Sequence, residues 1–112
     1  MNFRPELAAK VMDGTKTVTR RLVSDNPRSP WFVGGCSLKV GQDYAVCPGR
    51  GKPAIGRVRI LSVTRATLAL DDAEARREGC EDAEDFAAVI VAIHGRYEPE
   101  TPAWRIEFEE AA

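Results

Sequence analysis

Apolar stretches long enough to cross a bilayer are missing from this chain, since no run reaches the roughly 18 residues that a spanning helix needs. The opening residues, Met1-Asn2-Phe3-Arg4-Pro5-Glu6, also lack the apolar core of a secretory signal. Cysteine is scarce and odd in number, and Cys36, Cys47 and Cys80 show no C-x-x-C spacing. A disulfide framework is therefore not encoded, and a reduced, cytoplasmic protein with no membrane association is expected. There is one histidine, His94. Together with Cys36 and Cys47 it makes a scattered set without the spacing of a metal site, so neither a metal nor another cofactor is expected. Repeats and low-complexity tracts are absent too.

What remains is a chain of 112 residues, enough for one domain spanning 1–112 with a core that needs no staples. Its formal net charge of −1 conceals a division. Residues 1–65 hold twelve Lys/Arg against four Asp/Glu, and residues 66–112 hold four against thirteen. The division suits an anion-binding face on the basic half, or equally acidic helices that solvate one side and pair with basic strands.

The segment Gly14-Thr15-Lys16-Thr17-Val18-Thr19-Arg20-Arg21 stands out, because Val18 is its only apolar side chain. A core-filling strand alternates apolar and polar positions. This one presents hydroxyls and cations to water, a partner or a ligand, a set suited to phosphate or a polar carbonyl compound.

Around it the pattern predicts short helices and several strands. Pro5 opens a helix over 5–13 and Gly14 caps it, with Leu7, Ala8, Val11 and Met12 on one face. Residues 16–22 are extended, and 23–41 form a long loop rich in Pro and Gly. Tyr44–Cys47 is a short strand, and the basic turn 48–53 leads to the best strand, Ala54–Thr64. There Val58 and Ile60 face inward until Leu61 and Val63 reverse the phase, which predicts a bulge. Leu68 and Leu70 form a further short strand. Asp71 and Glu74 make a capping box for a helix ending at Gly79, and Asp82 with Asp85 opens another that Gly95 closes. Trp104, Ile106 and Phe108 alternate with charged residues in a last strand. The order implies an α+β sheet or a small mixed barrel.

These pieces resemble the ASCH domain family, a branch of the PUA-like folds associated with RNA. The resemblance rests on the helix ending in Gly14, Lys16-Thr17-Val18-Thr19-Arg20-Arg21-Leu22, Val40-Gly41-Gln42-Asp43, and Arg59-Ile60-Leu61-Ser62-Val63. It continues through Asp72-Ala73-Glu74…Glu78-Gly79, Phe86 and Trp104-Arg105-Ile106-Glu107-Phe108, and so covers nearly the whole chain. Cys80 stands where an aromatic is common, and Val89 or Val91 where tryptophan is common; packing is expected to feel these departures more than chemistry. The resemblance implies a PUA-like small β-barrel with about three flanking short helices. It also implies the catalytic set of the amidohydrolases that remove the acetyl group of N4-acetylcytidine: Lys16 as base, Thr19 as nucleophile and Glu78 as acid. Other members of the family act as ribonucleases.

The chemistry sets conditions on that set. A lysine serves as base only when neutral, so its pKa must fall from about 10.4, through burial and the like charges of Arg20 and Arg21. A Lys16–Glu78 ion pair would oppose the fall. In a regular strand Lys16 and Thr19 would point to opposite faces, so the chain must turn between Gly14 and Thr19. The structural alternative makes Lys16 a solvated strand-end lysine, Thr19 a β-former and Glu78 a surface carboxylate. Expected to bind substrate are Arg20, Arg21, the stacking candidates Trp31 and Tyr44, and Arg50 and Lys52 of the basic turn. Trp104 is expected in the core, and His94 near a helix end. The partner expected is a nucleoside or single-stranded RNA. A non-catalytic RNA or modified-nucleotide binder remains an alternative, as does metal-independent RNA cleavage using Lys16 and Tyr44. Oligomeric state is not encoded.

Overall fold

Pro5 carries no N–H to lose at a helix start, and helix α1 (Pro5–Met12) begins there, burying Ala8 and Val11. Gly14 ends it at φ 84°, a backbone only glycine adopts freely. The computed structural model describes residues 1–111. Strand β1 (Val18–Leu22) is shorter than the extended segment expected over 16–22, because Lys16 and Thr17 are drawn elsewhere. The Lys16 N–H donates to Lys10 O at the end of α1, and the Thr17 N–H to Arg77 O.

After the loop comes β2 (Asp43–Val46), then the twelve-residue β3 (Gly56–Thr67). The bulge is present: the pairing of β3 shifts between Ile60 and Ser62, leaving Leu61 as the extra residue. Leu68 and Leu70 do not form a strand of their own. β3 already runs to Thr67, and Leu68 lies buried beyond it with its N–H donating to Thr101 O. Helix α2 (Asp72–Arg77) and helix α3 (Ala83–His94) follow, and β4 (Pro102–Glu110) closes the chain. Asp71 and Asp82 cap the two helices as expected, but α2 has half a capping box. The Glu74 carboxylate is taken by arginines, whose charge-assisted hydrogen bonds outcompete a return to the cap.

The four strands form one antiparallel sheet in the order β1-β4-β3-β2. This is an α+β fold, but the expected barrel is not closed. The N-terminal segment lies between the sheet's two ends. Its backbone joins the β2 side, where the Phe3 N–H donates to Cys47 O and the Cys47 N–H to Met1 O. Towards β1 the link is a side chain, Arg21 Nη2 donating to Asn2 O at 2.8 Å. A side chain cannot continue a ladder, so the sheet stays open.

Buried apolar residues form two hydrophobic clusters. One gathers Phe3, Val11, Val58, Ile60, Ile106 and Phe108; the other packs Phe86 and Ile90 of α3 on Leu68, Ala75, Cys80 and Ala103. Burying Phe86 or Ile90 contributes about 1.5–3 kcal/mol each, which holds α3 over the β1 side of the sheet. Among the described residues, no helix is long and apolar enough to cross a membrane.

Candidate active site

A cavity of about 560 Å³ lies beside β1, between the N-terminal segment and α3. Consecutive β1 residues, Thr19 to Leu22, line it, as they do when a cavity runs along an edge strand instead of over one face. Lys16, Thr19 and Glu78 all belong to its wall and are 3%, 5% and 3% exposed. Lys16 is not bound by the alternation that would turn it away from Thr19, because it precedes the strand, with its N–H held by Lys10 of α1 and that of Thr17 by Arg77 of α2. Glu78 arrives from the other half of the sequence as the residue closing α2, and Gly79 follows at φ 90°. A Cβ on Gly79 would stand 3.2 Å from Lys16 Cβ, so glycine lets the two segments meet.

The Lys16 ammonium is fully engaged. Nζ donates to Glu78 O at 2.7 Å, to Val18 O at 2.8 Å and to Glu78 Oε1 at 3.2 Å. Burial pushes its pKa below the ordinary value of 10.5, against the pull of Glu78 in the other direction. Desolvation is the larger effect, as expected for an amine with almost no contact with water.

Arg20 and Arg21, adjacent and alike in the sequence, have different surroundings. Arg20 donates to Glu78 Oε2 at 2.8 Å, to Glu74 Oε2 at 2.9 Å and through Nε to Thr67 O at 2.9 Å. It sits opposite Arg105 in the β1–β4 register, a like-charge pair that would repel. Glu74 lies between them and accepts from both, and the Arg105 and Arg20 guanidiniums hold its carboxyl at about 2. Arg21 instead lies over two rings, 4.8 Å from the Phe3 centroid and 5.6 Å from that of Trp31. Burial lowers its pKa as well.

Of the other expected ligand contacts, Trp31 and Arg50 line the cavity, whereas Tyr44 and Lys52 do not. Tyr44 is half-buried on the core side of β2, its hydroxyl accepting from the Lys39 N–H. Lys52 is exposed in the turn, of which Gly49 and Arg50 reach the cavity wall. Trp104 is buried as expected, its Nε1 donating to Trp31 O at 3.0 Å, so it braces the loop that carries Trp31. His94 closes α3 at the cavity's far end. Among the described residues, no group of three or more His, Cys, Asp or Glu has metal-binding geometry.

Sequence reasoning missed the apolar wall of Phe86, Val89, Ile90 and Ile93, whose helical spacing fits core packing equally well. Cys80 and Val89, expected to matter for packing, also face the cavity and shape the space for a ligand; burial raises the Cys80 thiol. Asn2 and Phe3 carried no signal at all. The Glu74–Arg105 link was hidden because each residue had a sufficient local explanation, a cap and an outward strand position.

No protein-family model matches the chain, and no curated protein does. Solved structures do. An ASCH domain from Lactobacillus crispatus JV V101 superposes with a TM-score of 0.62 at 16% identity, over 93% of this chain and 69% of that one. A protein of the DUF984 family from Enterococcus faecalis V583 gives 0.62 at 17% identity, over 94% and 66%. A tyrosine-to-phenylalanine mutant of an ASCH protein from Zymomonas mobilis gives 0.58 at 16%, over 98% and 67%. The chain therefore has the ASCH fold and spans about two thirds of the length of each of these structures.

Proposed function

We propose that this ASCH-fold chain is an amidohydrolase acting on an N-acylated nucleoside of the N4-acetylcytidine type. The observation that carries the reading is the convergence of Lys16 and Thr19 with Glu78, which lies about sixty residues further on, on one cavity. Its volume is within the roughly 300–1,000 Å³ of small-molecule sites, and its mixed apolar and polar wall is typical of them. Trp31 offers a face on which a base can stack.

The hydrogen bonds of Lys16 suggest how a base and an acid arise together. Its two short bonds go to carbonyls, and the longest goes to the Glu78 carboxylate. Moving that one proton to Glu78 turns a buried ion pair into a neutral amine and a carboxylic acid, the pair that desolvation favours. Thr19 Oγ1 then attacks the acyl carbon while its proton passes to Lys16. The C–N bond breaks and Glu78 protonates the leaving amine, so Lys16 and Glu78 recover their starting charges. A water molecule repeats the cycle on the acyl-threonine and releases the carboxylic acid. Arg20 holds Glu78 in place throughout, being committed to Glu78, Glu74 and Thr67.

Incubation with N4-acetylcytidine and chromatography for cytidine tests this. Wild type should turn over, with Lys16→Met and Thr19→Val losing about 10²-fold or more. The rate should fall as rising pH removes the proton that Lys16 and Glu78 share, since Glu78 then has none to give the leaving amine; burial brings that loss below the ordinary lysine value of 10.5. Equal turnover in all three proteins would exclude the assigned roles.

The saturation of all three Lys16 donors favours a second reading, a binder that performs no chemistry. It predicts nucleoside binding without turnover at any pH. RNA cleavage by Lys16 and Tyr44 has less support, because Tyr44 lies off the cavity.

A further inference from the structure

Arg21 stands on the cavity wall without a carboxylate to answer its charge. Lys16 and Arg20 share the Glu78 carboxylate, and Arg20 has Glu74 in addition. Among the described residues no carboxylate stands at ion-pair distance from Arg21, and Asn2 O is the one hydrogen-bond acceptor its guanidinium meets. Its Nε is buried without any partner. The Phe3 and Trp31 rings compensate part of the charge, but an aromatic face over a guanidinium does not satisfy an in-plane N–H. Buried donors nearly always find an acceptor, so this guanidinium is short of partners; Nε itself is closed to solvent, and a ligand in the cavity would meet the rest of the group. Arg50, on the wall of the same cavity, also has no carboxylate at ion-pair distance among the described residues. The opposite wall is apolar, built by Phe86, Val89 and Ile90.

We propose that Arg21 seats an anionic phosphate of the ligand, with Arg50 as the second cation, so that the cavity takes a nucleotide in preference to a free nucleoside. A guanidinium meets phosphate oxygens with two parallel N–H groups, whereas a neutral sugar hydroxyl offers one weaker acceptor. The phosphate comes either from a free mononucleotide or from an RNA strand. The inference rests on the nucleoside reading above for the base alone; the anion seat is a separate claim.

Calorimetric titration of the intact chain with cytidine, cytidine 5′-monophosphate, a cytidine trinucleotide and inorganic phosphate, at matched ionic strength, tests it. The monophosphate should bind at least about tenfold more tightly than cytidine, and the advantage should shrink with salt. Arg21→Gln should bring the two within about twofold, Arg21→Lys should retain part of the preference, and Arg50→Ala should reduce it about threefold. A trinucleotide matching the monophosphate identifies an RNA strand as the source, and a weaker one identifies the free nucleotide. Equal affinity of wild type for cytidine and its monophosphate overturns the proposal without need of any variant. So does a preference that survives Arg21→Gln, or a failure of every phosphate-bearing probe to bind. If inorganic phosphate binds as tightly as the monophosphate and cytidine does not bind, the anion seat stands and the nucleoside reading falls. If cytidine binds and phosphate adds nothing, the reverse holds.

Discussion

Lys16 joins the sequence's most unusual segment to its later acidic half. Its burial with Glu78 is destabilising to break from one side, because the desolvated carboxylate then keeps Arg20 as its one cationic partner and the space left by the ammonium is buried. Lys16→Met should cost about 3–5 kcal/mol in urea unfolding. Combining it with Glu78→Gln should recover part of that loss through a coupling of roughly 0.5–3 kcal/mol. A single-variant loss under about 1 kcal/mol would mean that the pair is effectively solvated, as measured for exposed pairs. The fates of Arg20 and Arg21 were not legible beforehand. Successive strand residues point to opposite sides, yet only the third dimension shows which side holds Glu74 and Glu78 and which holds the rings of Phe3 and Trp31.

Helix α2 is only six residues long, and Glu78 closes it. A helix this short is marginal by itself, so its cap weighs heavily. The Asp71 side chain accepts from the Glu74 N–H at 2.8 Å. Asp71→Ala should lower stability by about 1 kcal/mol, measured by thermal unfolding. It should also lower turnover more than Asp82→Ala, the matching change on α3, because fraying α2 displaces both Glu74 and Glu78. Equal effects of the two changes would mean that α2 does not position the site. Caps, the bulge after Ile60 and the alternation of β4 were readable from the sequence, since each depends on residues a few positions apart. Strand partnership was not. The basic segment pairs with β4, more than eighty residues away, and no local pattern encodes a register across that distance.

Across the molecule, the basic first half and acidic second half meet in ion pairs that link Lys16 and Arg20 of the one to Glu74 and Glu78 of the other. Of the two readings of the charge division, pairing accounts for this part. The uncompensated Arg21 and Arg50 keep the anion-binding reading alive at the cavity. Acid should loosen the connection. The folded-state pKa of Glu74 is about 2, against an ordinary 4.5. Its stabilisation is thus complete above about pH 4.5 and is lost as pH falls from there through about 2. Stability measured by urea unfolding should decline across that window, and Glu74→Gln should flatten the decline. An unchanged slope in the variant would place the acid sensitivity in other carboxylates.

Helices, their caps, the phase change in β3 and the inward side of β4 depend on contacts within a few residues, and the order of amino acids was sufficient to specify them. Matching the pattern of segments to a family singled out Lys16, Thr19 and Glu78, and the fold places all three on the wall of one cavity. Three features needed the folded chain. The sheet stays open because the N-terminal segment reaches β1 through a side chain instead of a backbone ladder. Lys16 and Thr19 line one cavity because Lys16 lies ahead of the strand, with its N–H tied to Lys10 and that of Thr17 to Arg77. One arginine is neutralised and its neighbour is not, because charge compensation depends on distances through space, which adjacency in the chain does not set.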